Sequence, residues 1–313
     1  MTYSFDDTPD RHTRLLQAHR MAMDMLGSAE RDGLFRAGVT ELELSREIQS
    51  LGQRMFGTFK HWHKRIVRAG PNTLSTFGDT PADLRIEADD MVFVDLGPMF
   101  ESWEADIGRT YVIGSDPEKI RLRDAIEAAW HSGRDHFRAN RESVTGADMY
   151  ELAVETARAH GYVYPNWHAG HLIGNFPHEI VQGELRENYL HPGNTLPLSA
   201  PDHAGNPRTW IYEVHFVDPE RGYGGFFEQW LELDDGSAGD SHFGHPCEAG
   251  SPLFLRCTFA PSCLPSNQGA ETVDGRATEP DRVQGAGRPR RLPRFPSRRR
   301  AGRLLERRHE GTN

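Results

Sequence analysis

Met91-Val-Phe-Val-Asp-Leu-Gly97 and Asp106-Ile-Gly-Arg-Thr-Tyr-Val-Ile-Gly114 read as two β-strands, rich in β-branched and aromatic residues and closed by glycine. With the segment between them folded as a hairpin centred between Phe100 and Glu101, Asp95 stands directly opposite Asp106. The same arithmetic about the Asp218-Pro-Glu-Arg-Gly222 turn sets Glu213, within Trp-Ile-Tyr-Glu-Val-His-Phe, opposite Glu228. Facing residues of an antiparallel pair have Cβ atoms about 4.5–5.5 Å apart, and like charges placed there repel. Unpaired carboxylates in such apolar surroundings are costly. A chain that makes this arrangement twice calls for cations, provided the register holds, since a one-residue slip sends the carboxylates to opposite faces. Taken singly, an aspartate at a strand end is ordinarily a turn former or a solvated edge residue.

Outward from these strands the pattern is helical. Leu15, Ala18, Met21, Met25 and Leu26 recur at helical spacing within residues 11–37, and Thr40 with Glu43 forms a capping-box signature opening a second helix. A strand is expected over 62–68 and a turn-rich stretch over 71–90. Asp116-Pro117 starts a long helix to about Ala139, proline suiting the first helical position. Another helix runs from Thr145 or Gly146 to His160, followed by irregular Gly/Pro/His-rich sequence over 162–209 and strands over 210–217 and 225–233. The order helix, helix, strands occurs twice. It predicts an α+β fold with an internal pseudo-repeat and helices against one face of a mostly antiparallel sheet.

The chain has 313 residues, 37% apolar side chains, 31 glycines and 26% charged residues, values of an ordinary globular protein that exclude collagen-like and wholly disordered classes. No apolar run reaches the roughly 18 residues of a membrane helix, and the polar, acidic start is unlike a signal peptide, so a cytoplasmic protein is expected. The net charge of −10 argues against general nucleic-acid affinity. That average is uneven: residues 236–313 hold 13 Arg against 8 acids, and residues 1–235 hold 23 basic against 38 acidic residues. All three cysteines, Cys247, Cys257 and Cys263, fall in the later segment, so chemistry in the first 235 residues rests on carboxylates, imidazoles and hydroxyls.

Imidazoles cluster in His168-Ala-Gly-His-Leu-Ile-Gly-Asn-Phe-Pro-His178. Seven residues apart in extended chain, His171 and His178 fall on opposite faces unless the backbone bends, which the glycines permit. One could be a ligand and the other a substrate-facing donor. Hard carboxylate oxygens suit Mn, Mg, Fe, Co or Zn, and a neutral imidazole tilts the choice towards the transition metals.

Taken in order, Val94-Asp-Leu-Gly97, Asp106-Ile-Gly-Arg-Thr110, Gly170-His-Leu-Ile-Gly174 with Pro177-His-Glu179, Glu213 and Glu228 resemble the pita-bread metallopeptidases: methionine aminopeptidase, aminopeptidase P, prolidase and their relative creatinase. The resemblance covers residues 10–235 and implies a pita-bread fold, two pseudo-symmetric halves around a curved sheet, holding two divalent metal ions (Mn, Co, Fe or Zn). By motif position Asp95 would chelate one ion, His171 and Glu213 the other, and Asp106 and Glu228 would bridge them. His178 matches a histidine that contacts the region of the scissile carbonyl. The implied mechanism is two-metal hydrolysis, in which a bridging water is acidified, the carbonyl is polarised and Glu213 shuttles a proton to the leaving amine. A peptide substrate is implied, most in keeping with an Xaa-Pro aminopeptidase or dipeptidase. A non-catalytic peptide- or protein-binding module and a non-peptide C–N hydrolase of the creatinase sort remain alternatives, and a homodimer is left open.

The sequence departs from the family pattern at several points. A histidine usual some 17 or 18 residues before the first aspartate is replaced here, at Phe77 or Gly78. His61 or His63, within Lys60-His-Trp-His-Lys-Arg65, could fill its place from another strand; a cationic surface strand is the competing reading. His215 stands in Glu213-Val-His-Phe where the family has an apolar-Glu-Pro-Gly pattern, and could line the pocket. The additional N-terminal domain of aminopeptidase P, prolidase and creatinase is not expected, since helical sequence starts by about residue 11. Residues 236–313, rich in Arg, Pro and Gly, are open to three readings: a disordered extension, out-of-frame translation of a GC-rich gene, or a basic arm for an anionic surface.

Overall fold

The computed structural model describes residues 10–57, 59–178, 186–202 and 205–233. They fall in the first, Met1–Cys247, of the two compact units into which the chain divides. Glu179 and the Arg/Pro/Gly-rich segment 236–313 lie outside the described residues.

Helix α1 (Arg11–Arg31) starts where the Asp10 side chain accepts a hydrogen bond from the His12 amide, and it buries Leu15, Ala18, Met21, Ala22, Met25, Leu26 and Ala29 along one stripe. Gly33, with φ 67°, turns the chain away after its last turn. Helix α2 (Glu41–Phe56) opens on the full Thr40–Glu43 capping box. Of the strand expected over 62–68 only 66–68 is strand, within β2 (Ile66–Ala69); residues 62–65 form a bend that follows the short strand β1 (Lys60–His61). Strands β3 (Met91–Leu96), β4 (Pro98–Phe100), β5 (Trp103–Glu104) and β6 (Ile107–Val112) follow. Helix α3 (Pro117–Ala139), capped by Asp116, and α4 (Gly146–Ala159), with a Thr145–Asp148 capping box, lead to β7 (Ile211–Asp218) and β8 (Tyr223–Trp230).

The main sheet has five antiparallel strands in the order β2-β3-β6-β8-β7, and a smaller sheet joins β1, β4 and β5. Each pair of helices covers its own half of the main sheet. Leu44, Ile48, Leu51, Met25 and Leu26 pack on Val67, Val92, Val94 and Ile107. Leu122, Ile126, Trp130, Phe137 and Met149 pack on Tyr212, Val214, Phe216 and Phe227. Each such side chain stabilises the fold by about 1.5–3 kcal/mol on full burial, so the two layers hold two equivalent halves together. Tight approach reinforces the second half: a Cβ on Gly133 of α3 would stand 2.3 Å from the Tyr212 ring, and Trp130 Nε1 donates to the Tyr212 carbonyl at 2.9 Å. Among the described residues no helix is long and apolar enough to cross a membrane.

One register differs from the sequence reading. Asp95 pairs with Gly108, not Asp106, because the chain reverses at Glu101 and Ser102 and Phe100 pairs with Trp103. The physical reason is burial: the expected centre would put Phe100 at the turn, whereas here Phe100 is buried and exposed Glu101 takes the left-handed position, φ 59°. A shift of two residues keeps the face, so Asp95 and Asp106 still point the same way. The second hairpin has the expected register, Glu213 opposite Glu228.

Candidate metal centre

One row of backbone partners crosses all five strands of the main sheet: Ile66, Asp95, Gly108, Glu228 and Glu213. Partners in a row share a face, and here that is the face away from the helices. Gly108 leaves the middle of the row empty; a Cβ there would lie 2.5 Å from the Phe226 ring and 3.0 Å from Glu228 Cβ. Asp106, two residues earlier on the same face, reaches over this gap. Behind the sheet Arg109 binds the carbonyls of Gly108 (2.7 Å) and Glu228 (2.9 Å) and stacks on Phe227, locking β6 to β8 where the carboxylates meet.

Two histidines enter from irregular segments. The bend between β1 and β2 delivers His63, whose Nε2 lies 3.3 Å from Asp106 Oδ1 and 3.5 Å from Asp95 Oδ1. His171 lies on a segment bridged to Tyr189 and bonded to β7 through the Ile211 amide. Gly170 before it has φ 139°, and a Cβ there would stand 2.0 Å from the Ile211 carbonyl oxygen, so only glycine permits the approach. His171 Nε2 is 3.2 Å from Asp106 Oδ2 and 3.6 Å from Glu228 Oε1. Two donor groups result, His63-Asp95-Asp106 and Asp106-His171-Glu228, each with its donor atoms within 4.8 Å of one another and with Asp106 common to both. Glu213 belongs to neither; its Oε1 faces His168 Nδ1 at 2.5 Å.

Burial and mutual repulsion make the centre short of positive charge. Burial, with the charges of Asp106 and Glu213, pushes Asp95 up to about 7 against the pull of His63. Burial and the neighbouring carboxylates drive Glu228 well above the usual carboxylate range. Asp106 is held low because His63 and His171 outweigh its burial. The imidazoles answer in kind: although burial opposes it, Asp106 and Asp95 raise His63 to about 9, and hydrogen bonds to Asp106 and Glu228 raise His171 well above its ordinary value. Glu228 Oε2 is buried with no hydrogen-bond partner. Hard oxygens, imidazole nitrogens and an orphaned buried carboxylate oxygen fit divalent transition metals.

A cavity of about 330 Å³ opens onto the centre, walled by Trp62, Ile66, Phe77, Phe93, Trp167 and Phe226. His215 lines it as the sequence suggests; its Nε2 faces the Thr73 carbonyl at 3.0 Å, and burial lowers its pKa to about 4. His61 does not line it. That ring packs edge-on against Phe59, its nitrogens buried without partners, because β1 pairs with β4 rather than joining the main sheet. His178 does not line it either: the buried Glu104 carboxylate holds its Nδ1 and draws the ring beside His171, the two stacked at 6.1 Å. The bend that the glycines permit thus brings both rings to one side. Glu104 and His168 were not singled out by sequence reasoning. Glu104 also accepts from the Gly174 amide at 2.8 Å; its only signal is a glutamate inside the apolar Trp103-Glu-Ala105. His168 was visible only as one more imidazole near His171.

A pseudo-twofold α+β fold carrying a buried carboxylate–imidazole centre defines a class, that of the pita-bread proteins. Residues 13–226 match the model of metallopeptidase family M24, and the chain belongs to that family. It is 28% identical over 163 residues to an Xaa-Pro dipeptidase of Pyrococcus horikoshii, a match covering 51% of this chain and 45% of that protein; the chain thus spans about half the length of such relatives. Among solved structures, the prolidase of Thermococcus sibiricus superposes with a TM-score of 0.59 at 21% identity, over 73% of this chain and 60% of that one. A methionine aminopeptidase from Thermotoga maritima gives 0.54 at 15% identity, over 73% of this chain and 98% of that one, and likewise shares the fold.

Proposed function

We propose that this chain is a metal-dependent peptidase that removes N-terminal residues from short peptides, with Xaa-Pro peptides as the substrate class, and that the centre holds two divalent ions. The observation that carries the reading is the sharing of Asp106 between two imidazole–carboxylate groups at the floor of a cavity. The dipeptidase relatives support the substrate class. About 330 Å³ is at the small end of ligand cavities, which suits a few residues of peptide rather than a folded chain.

Asp95, Asp106, His171, Glu213 and Glu228 are proposed to hold the ions, which when bound supply Lewis acidity to a peptide carbonyl and a water. The chain's own groups do the rest. Glu213 Oε1, beside His168 Nδ1, takes a proton from the attacking water and returns it to the leaving amine. The aromatic walls exclude bulk water and orient the peptide. Glu104 fixes His178, and through it the flank of His171; His178 is proposed to reach the carbonyl region only when substrate is bound.

The test is a panel of Xaa-Pro dipeptides, longer Xaa-Pro peptides, Met-peptides and creatine, assayed after strong chelation and again after adding Mn, Co, Fe or Zn. Hydrolysis of Xaa-Pro peptides that vanishes on chelation and returns with the ion is expected. Turnover indifferent to chelators, or none with any ion, overturns the reading.

A further inference from the structure

His63 and His171 occupy equivalent positions on either side of Asp106. Each ring's Nδ1 faces the carbonyl of the next residue, Lys64 at 2.7 Å and Leu172 at 2.8 Å. A carbonyl can only accept, so both Nδ1 atoms carry hydrogen and both Nε2 atoms present a lone pair in the neutral ring. Those two atoms face opposite oxygens of Asp106, His63 towards Oδ1 and His171 towards Oδ2. This is the tautomer and outer hydrogen bond of a metal-ligating histidine.

The surroundings hold His63 in that pose. Its side chain is only 7% exposed. Trp62 is pinned by its amide to the Gly97 carbonyl (2.9 Å) and by Nε1 to the Ala105 carbonyl (3.1 Å), and its ring stands edge-on to His63 at 4.4 Å. Gly97 clears the space, for a Cβ there would lie 2.1 Å from His63 Cδ2. Phe77, one of the two positions where the family pattern leads one to expect a histidine, is instead an aromatic wall 5.7 Å from the His63 ring.

We propose that His63 is a metal ligand, completing with Asp95 and Asp106 one of the two cation positions, so that each ion of the pair has one imidazole and both share Asp106. The proposal rests on the metal-centre reading above and adds to it a ligand from the bend between β1 and β2.

Titration of the full-length, metal-stripped protein with Co(II) alone, followed by calorimetry and visible absorption, tests it. The wild type is expected to bind two Co(II) per chain. His63→Ala and His63→Gln should weaken one site at least ten-fold and alter its absorption band while the other site stays as it was, and imidazole added to His63→Gly should restore the weakened site. His61→Gln, whose ring touches none of the carboxylates, should bind both ions normally. Circular dichroism reports whether each variant is folded. A measurement on the wild type stands apart from any variant's folding: two exchangeable, hyperfine-shifted Nδ1–H proton resonances in the Co(II)-loaded protein, one per histidine. Normal binding of both ions by the His63 variants, equal loss of both, or a single shifted Nδ1–H resonance overturns the assignment of His63. A wild type that binds no Co(II) instead overturns the metal-centre reading itself, a different result from two ions with only one imidazole between them.

Discussion

Glu104, at the end of β5, and Asp106, just before β6, sit two residues apart, both buried, and the geometry gives them different tasks. Asp106 offers one oxygen to each donor group, whereas Glu104 accepts from the Gly174 amide and binds the ring and amide of His178. If the centre holds the two proposed ions, Asp106→Asn should lose both of them and at least about a thousand-fold in kcat/KM, roughly 4 kcal/mol of transition-state stabilisation. Glu104→Gln should keep its ions by metal analysis and lose about ten- to a hundred-fold; a Glu104 variant stripped of metal would contradict its role as a positioning residue. A different residue governs acid stability. His19 of α1 is wholly buried with neither ring nitrogen bonded, and burial, helped by Arg109, lowers its pKa to about 3. The unfolded chain takes up a proton near the ordinary value of 6.5 that the folded one refuses, so this stability is full above pH 6.5 and is lost as pH falls towards 3. His19→Leu should remove the penalty. In urea unfolding of metal-free protein the variant's advantage should be larger at pH 5 than at pH 7.5 by about 2 kcal/mol, and an advantage independent of pH would refute the account.

At the scale of elements, short-range chemistry set most boundaries. Thr40 with Glu43, Asp116 with Pro117 and Thr145 with Asp148 cap helices whose starts could be read directly, because a cap involves residues only three apart. Thr145→Ala should cost about 1 kcal/mol in chemical denaturation. Gly133→Val should cost more, about 1–3 kcal/mol by overpacking, since the new side chain meets the Tyr212 ring. Pairing was harder to read. The Glu213–Glu228 register followed from a turn marked by proline and glycine, but the turn of the first hairpin, Phe100-Glu-Ser-Trp103, contains neither, and its register was decided by the burial of Phe100. The bend over 62–65 between β1 and β2 was equally hidden, since no glycine or proline marks it and its surroundings, β4 and Asp106, come from distant chain.

For the whole molecule, the family match ends at residue 226, and the core of the described residues is closed by Trp230, Leu231 and Leu233. Removal of residues 240–313 should accordingly leave ion binding and hydrolysis unchanged, as metal analysis and peptide assay of the truncated chain would report; lost activity would show that the segment is needed. The doubled order of helices and strands and the two acidic hairpins were legible in the chain, because capping, periodicity and turn chemistry are local properties; of the expected set Asp95, Asp106, His171, Glu213 and Glu228, the structure gathers all but Glu213 into the two donor groups. Which imidazoles meet which carboxylates was not legible. Whether His63 or His61 turns inward, that His168 faces Glu213, that Glu104 draws His178 aside and that Gly108 opens the middle of the row all depend on contacts between residues tens to more than a hundred positions apart. Sequence alone determined the fold class and the carboxylates and imidazoles on offer. Only the tertiary structure decided the partners, because they are chosen by steric fit and charge balance across segments that meet only once the sheet has formed.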